Sequence, residues 1–102
     1  MKECCKNYLE LQFGDDEEIK AEIYEEYRNS MQARAAEADA ALKARDWVAL
    51  DKIAHTIKGN ALAVGDKDMA DTAIDLRSQA KLQETDASEA DIARLRGFVS
   101  EL

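Results

Sequence analysis

The chain has 102 residues, with 14 Lys and Arg against 22 Asp and Glu, which gives a formal net charge of -8. This length is below the roughly 150 residues used as a prior for a domain, so we expect one domain over residues 1–102 and exclude a two-domain enzyme. The negative charge argues against a protein that binds nucleic-acid phosphates or an anionic membrane surface. We therefore expect a protein partner.

The apolar stretches and the N-terminus indicate the cellular compartment in which we expect the chain. The longest apolar runs, such as Trp47 to Leu50, have four residues, far fewer than the roughly 20 of a transmembrane helix. Residues 1–7 enter no apolar region typical of a signal peptide, so we place the chain in the cytoplasm with reduced cysteines. Cys4 and Cys5 are adjacent and lack the two-residue gap of a zinc-binding pair, so no metal site is predicted.

The composition indicates an all-α protein, because the chain has no proline and only four glycines. Residues 8–13 form either a short helix or an extended lid over one end. A long helix is predicted from near Asp16 to about Arg45, with Asp15 and Glu18 spaced as a capping box. Tyr24 and Tyr27 follow each other closely on this helix, and we expect one of them to be partly exposed. Its predicted apolar side carries Ile19, Ile23, Tyr27, Met31, Ala38 and Leu42.

Three further helices follow, joined by short turns. Asp46 is placed to cap the first and Gly65 to end it, Asp66 restarts the chain, and Asp86 or Ser88 is placed to cap the last. Four amphipathic helices with short connections predict an antiparallel four-helix bundle with a short N-terminal segment or helix. The predicted core positions are Trp47, Leu50, Ile53, Ala54, Ile57, Ala61, Val64, Met69, Ala73, Leu76, Ala80, Ile92, Leu95, Val99 and Leu102.

His55 is the only histidine, and its position in the helical pattern decides which way it points. At about 100° per residue, it lies roughly 150° from the mean direction of the apolar positions around it, so it is predicted to face solvent. A neutral imidazole has one ring nitrogen with a free lone pair, and this nucleophile can accept a phosphoryl group. Lys58, one turn later, can pair with phosphoryl oxygens and disfavours the imidazolium form.

Gly59 is an unusual residue for the interior of a helix, where glycine costs about 1 kcal/mol relative to alanine. The apolar pattern continues beyond it, so the helix does not end there. A missing β-carbon one turn from the imidazole leaves room for another protein. The predicted docking surface on this helix consists of Asp51, Lys52, Lys58, Gly59 and Leu62.

The run from Ala54 to Gly65, with His55, Lys58 and Gly59 as His-x-x-Lys-Gly and a second glycine six residues later, resembles the signature of histidine-containing phosphotransfer (HPt) domains. The resemblance implies a four-helix bundle that receives a phosphoryl group on His55 from the aspartate of a response-regulator receiver domain and passes it to another receiver. It implies that Lys58 stabilises the phosphoryl group and that Gly59 provides clearance. Asn60 stands where the family often has serine.

The same resemblance implies a phosphoryl carrier in a two-component phosphorelay with no kinase activity, since the chain has no glycine-rich nucleotide loop and no room for an ATP-binding domain. The expected partners are receiver domains and a hybrid histidine kinase. The chain is expected to be a monomer without a cofactor of its own, and the partner receiver supplies Mg²⁺.

Two alternatives remain. The chain could be a helical adaptor that binds a signalling protein without chemistry, in which case the exposed histidine and its glycine have no explanation. It could instead be the dimerisation bundle of a kinase, but no acidic residue follows His55 directly, as the kinase motif usually requires, and such a bundle must be a dimer.

Overall fold

The computed structural model describes residues 1–102, which form five helices and no strands. The helices are α1 (Glu3–Phe13), α2 (Glu17–Lys43), α3 (Trp47–Ala63), α4 (Lys67–Lys81) and α5 (Thr85–Ser100). Helices α2 to α5 form the predicted four-helix bundle, in which α2 packs on α3 and α5, and α4 packs on the same two helices. Connections of three residues make consecutive helices antiparallel. None of the five helices combines the length and hydropathy needed to cross a membrane.

Aspartates begin three of the bundle helices. The side chains of Asp16, Asp46 and Asp66 each accept a hydrogen bond from the backbone amide three residues later, at 3.1, 3.1 and 3.4 Å. These bonds satisfy amides that have no partner inside the helix. The predicted caps at Asp46 and Asp66 are confirmed. The capping box was wrong, because Asp16 and not Asp15 caps α2.

Each turn contains a residue with positive φ, and this explains two errors in the predicted helix ends. Gly14 and Gly65 have φ values of 59° and 71°, whereas Arg45 and Gln83 adopt φ values of 56° and 55° without being glycine. The chain therefore leaves α2 at Lys43, two residues earlier than predicted. Similarly, α5 begins at Thr85, and the side chain of the preceding residue, Glu84, makes no capping hydrogen bond. The predicted caps of this last helix, Asp86 and Ser88, lie inside it, and Ser88 is fully buried.

The core confirms most of the predicted apolar positions. The fully buried large side chains include Met31, Leu50, Ile57, Leu76 and Leu95, one or two from each bundle helix. Ile19 differs from the prediction because its side chain is 40% exposed. Tyr24 and Tyr27 differ as well, because both are buried. Residues three apart on a helix lie on neighbouring sides of it, so both rings can be covered at once.

The cover over these tyrosines is the N-terminal segment, which is a helix and not an extended lid. Cys5 and Leu9 of α1 are fully buried. Before α1, the backbone amide of Lys2 donates to the Tyr24 hydroxyl at 3.2 Å, and the Lys2 ammonium donates to Oδ1 of Asp66 at 2.6 Å. These two bonds fix the start of α1 against α2 and against the residue that caps α4.

Candidate functional site

His55 lies on the outer side of α3, as predicted from the apolar pattern. Its side chain is exposed, whereas Ala54 and Ile57 on either side of it are buried in the core. The Asp46 cap fixes where α3 begins, and the buried positions fix which side of α3 faces the bundle. An imidazole in this position is open to a large partner and contributes nothing to the core.

Arg77 of α4 contacts His55 and was not identified from the sequence. Its Nη1 lies 3.0 Å from Nδ1 of His55, and its Nε donates to Oδ1 of Asp51 at 3.0 Å. The guanidinium therefore joins two side chains of α3 that lie one turn apart. A signal for this contact existed in the sequence: helices joined by a short turn are antiparallel, and His55 and Arg77 lie ten residues before and twelve residues after Gly65.

A small cationic groove lies beside this contact, between α3 and α4. It has a volume of about 160 Å³ and is lined by Lys58, Ile74, Arg77, Ser78 and Lys81. Three of these residues are cations and none is acidic, although the chain as a whole has a net charge of -8. The groove therefore concentrates positive charge beside the imidazole, where it favours an anion.

Gly59 has no packing partner in the bundle. A β-carbon built on it would meet no atom within 4 Å. The interior of the protein therefore does not require glycine at this position, and close packing of a neighbouring helix is excluded as its reason. What the glycine leaves is open space on the outer side of α3.

The predicted docking residues differ in what they do in this structure. Lys52 and Leu62 are exposed, and Leu62 keeps 54% of its surface accessible. Ile74 of α4, which the sequence did not single out, is 48% exposed. Asp51 is only partly exposed and is occupied by Arg77. The outer side of α3 and α4 thus combines cations with two exposed apolar side chains.

Cys4 and Cys5 form a cluster with Asp66 in which one potential ligand atom of each lies within 4.8 Å of the others. The Asp66 carboxylate already accepts from the Lys2 ammonium at 2.6 Å and from the Tyr27 hydroxyl at 2.7 Å. Burial, together with the charge of Asp66, raises the pKa of Cys5 to about 12, so its thiol keeps the proton that a metal ligand must lose. These residues do not fit a metal site.

Comparison with known proteins identifies a family. The family model of the Hpt domain matches residues 22–102, which include α3 to α5 and most of α2. Searches of curated proteins and of solved structures gave no match. The match covers most of the chain and includes the exposed histidine, the cationic groove and every residue of the buried core except Cys5 and Leu9 of α1. The chain therefore belongs to the Hpt domain family, whose members carry phosphoryl groups in two-component signalling.

Proposed function

We propose that His55 accepts a phosphoryl group from the aspartyl phosphate of a response-regulator receiver domain and passes it to the aspartate of another receiver. The observation that carries this proposal is the exposed imidazole at the edge of a cationic groove. A nucleophile that serves two partners in turn must be reachable from outside, and His55 is. Phosphoryl transfer depends mainly on positioning and on neutralising charge, and the groove supplies positive charge.

The proposed step forms one bond and breaks one. A ring nitrogen of neutral His55 forms a bond to phosphorus while the bond between phosphorus and the receiver's carboxylate oxygen breaks. The electron pair of the broken bond stays on that carboxylate. The reverse step on a second receiver restores the imidazole. The Lys58 ammonium, which lines the groove, pairs with the phosphoryl oxygens.

In this proposal the chain is a carrier without kinase activity, and Mg²⁺ comes with the receiver. The carboxylate beside His55 is that of Asp51, and its Oδ1 is engaged by Arg77. A hard cation such as Mg²⁺ prefers oxygen ligands, and the acidic receiver site offers the carboxylates and the phosphate. The protein works as a monomer in the cytoplasm, and size-exclusion chromatography with light scattering can test the monomeric state.

The receiver docks on the outer side of α3 and α4. Lys52 and Leu62 contribute a charge and an apolar contact from α3, and Ile74 extends the apolar part from α4. Gly59 lies between them with open space in place of a side chain. This clearance lets the receiver bring its aspartyl phosphate to His55.

The test uses purified protein, Mg²⁺ and a receiver domain carrying a labelled phosphoryl group. We expect the label to move to the protein, to be released by acid, and to be absent with His55→Gln. A second, unlabelled receiver should then remove the label. Binding is measured in parallel, because a chain that binds receivers but takes no label from them is an adaptor and contradicts the proposal.

A further inference from the structure

The contact between Arg77 and His55 restricts which ring nitrogen can carry a proton. Arginine has five N–H donors, has no acceptor, and stays protonated in proteins. With Nη1 at 3.0 Å, Nδ1 of His55 must therefore accept with its lone pair. An imidazolium, or a neutral ring with its proton on Nδ1, would place one N–H against another. The single proton of the neutral ring is consequently on Nε2.

A second hydrogen bond, to Asp51, holds Arg77 in this position. Its Nε donates to Asp51 at 3.0 Å, and both side chains are only partly exposed, at 27% for Arg77 and 29% for Asp51. A guanidinium with two fixed bonds has less rotational freedom than one at the end of a free chain. The contact with Nδ1 thus belongs to a bridge from Asp51 through Arg77 to His55.

This arrangement opposes the step that the proposed function requires. Because Arg77 covers Nδ1, the nitrogen open to a partner is Nε2, yet Nε2 carries the proton and has no lone pair for attack. We infer that Arg77 is a positioning residue that holds His55 in a resting tautomer and must leave Nδ1 before transfer can occur. The anionic aspartyl phosphate of a docked receiver is a stronger partner for a guanidinium than a neutral ring nitrogen is.

The proton balance follows from this inference, which rests on the proposed function. When Arg77 leaves, water takes the proton from Nε2 and another returns to Nδ1. The Nε2 lone pair then bonds to phosphorus, and the electron pair of the broken P–O bond stays on the receiver's carboxylate. The phosphorylated ring carries Nδ1–H, and loss of that proton to water allows Arg77 to donate to Nδ1 again.

The return of Arg77 has a consequence for the lifetime of phosphohistidine. The bond from Nε2 to phosphorus breaks more easily when Nδ1 is protonated, because the ring then leaves as neutral imidazole. A guanidinium donating to Nδ1 opposes this protonation. Arg77 therefore delays uptake in the absence of a receiver and preserves the phosphoryl group afterwards.

The first experiment measures the tautomer by ¹⁵N NMR of the ring nitrogens, at an alkaline pH where imidazoles are neutral. His55 is the only histidine, so its signals are unambiguous. We expect the Nε2–H tautomer alone in the unmodified protein, a mixture of tautomers in Arg77→Met, and recovery in Arg77→Lys. Lys81→Met removes a cation from the same groove and should leave the ring unchanged. A mixture of tautomers in the unmodified protein would overturn the inference.

The second experiment measures the lifetime of phosphohistidine without any receiver. The protein and its variants are phosphorylated with phosphoramidate, and loss of phosphate is followed at one pH. Arg77→Met should shorten the lifetime roughly two- to tenfold, the factor expected for one hydrogen bond, and Lys81→Met should shorten it less. Equal lifetimes in Arg77→Met and the unmodified protein would contradict the inference. Neither measurement uses a receiver, so both results can be interpreted even if the protein exchanges no phosphoryl group with receivers.

Discussion

The hydroxyl of Tyr27 donates a 2.7 Å hydrogen bond to Oδ2 of Asp66, which is fully buried. This bond joins the middle of α2 to the residue that caps α4. The other carboxylate oxygen of Asp66 accepts from Lys2 and from the amide of Met69. The turn between α3 and α4 is thereby fixed, and this turn sets which residues of the two helices face each other, including His55 and Arg77.

Replacing Tyr27 by phenylalanine should destabilise the protein by roughly 1–3 kcal/mol, because one oxygen of a buried carboxylate loses its hydrogen-bond donor. Burial and the Asp66 carboxylate raise the pKa of Tyr27, so its hydroxyl remains a donor at all ordinary pH values. Urea unfolding measures the change. Tyr8→Phe is the matched control, since the Tyr8 hydroxyl makes no hydrogen bond to another side chain, and equal effects of the two substitutions would contradict the assignment.

Replacing Gly65 by alanine should cost more than about 2 kcal/mol. A left-handed backbone disfavours any β-carbon by about 1–2 kcal/mol, and at Gly65 the added atom would lie 2.5 Å from Cβ of Tyr8. Gln83 has a similar φ of 55° but is exposed, so Gln83→Gly removes a β-carbon from the same kind of backbone without a close contact and should stabilise the protein by about 1–2 kcal/mol. Thermal unfolding of both variants separates the close approach of α1 from the backbone conformation. A loss from Gly65→Ala no larger than the gain from Gln83→Gly would show that Tyr8 moves aside without cost.

The bundle and the direction of His55 could be predicted because both depend on local periodicity. The apolar spacing fixes which side of α3 is buried, and the exposed side follows from it. The helix ends were harder, because Arg45 and Gln83 take a left-handed conformation that sequence rules assign to glycine. The burial of Tyr24 was missed since it depends on α1, whose own pattern left its conformation open.

Arg77 could not be assigned from the pattern alone, because a charged residue beside the buried Leu76 is typical of any amphipathic helix. Its role appears only when α4 is placed against α3 and the guanidinium is found between Asp51 and His55. For the same reason, the ion pair of Asp51 with Arg77 was not predicted, although Asp51 itself was singled out as a docking residue. The partners of charged side chains are tertiary contacts, and helical spacing does not determine them.

The Asp91 carboxyl predicts a pH dependence of stability. Burial, followed by the hydrogen bond to Asp75 and the negative charge of Asp75, raises the pKa of Asp91 from 3.8 to about 7. Between these values the folded protein holds a proton that the unfolded chain has lost, so stability falls as the pH rises from about 4 to about 7 and levels off above that. Asp91→Asn keeps an N–H donor for the Asp75 carboxylate but has no proton to lose in this pH range. At about pH 8 it should raise Tm by several degrees, and the gain should shrink toward about pH 5.

Thermal unfolding over this pH range checks the Asp91 prediction. Asp71→Asn is the control, because Asp71 is an exposed aspartate of α4 and its replacement should leave the pH profile unchanged. A gain from Asp91→Asn that is the same at both ends of the range, or a loss of stability at the alkaline end, would show that Asp91 is ionised in the folded protein throughout.

Replacing Lys58 by alanine should slow phosphotransfer and shorten the lifetime of phosphohistidine by about tenfold, the factor expected when a hydrogen bond to a charged group is lost. Affinity for the receiver should change little, because the proposed role of the ammonium is on the phosphoryl oxygens. Lys67→Ala removes an exposed cation from the first turn of α4 and serves as the control. If Lys58→Ala leaves both kinetics and lifetime unchanged, Lys58 has no part in holding the phosphoryl group.

Replacing Gly59 by glutamine should stabilise the helix or leave it unchanged while obstructing transfer. Glutamine is favoured over glycine inside a helix by up to about 1 kcal/mol, and no atom of the protein lies within 4 Å of the β-carbon that the substitution adds. Gly97→Gln is the matched control, because Gly97 also lies exposed within a helix, α5, and a β-carbon added there would meet no atom within 4 Å. Neither variant should lose stability in urea unfolding, but only Gly59→Gln should lose phosphotransfer from a receiver. Phosphorylation of Gly59→Gln by phosphoramidate should remain normal, since that small donor needs no clearance on α3. Normal transfer from a receiver to Gly59→Gln would mean that the open space at this position does not accommodate the partner.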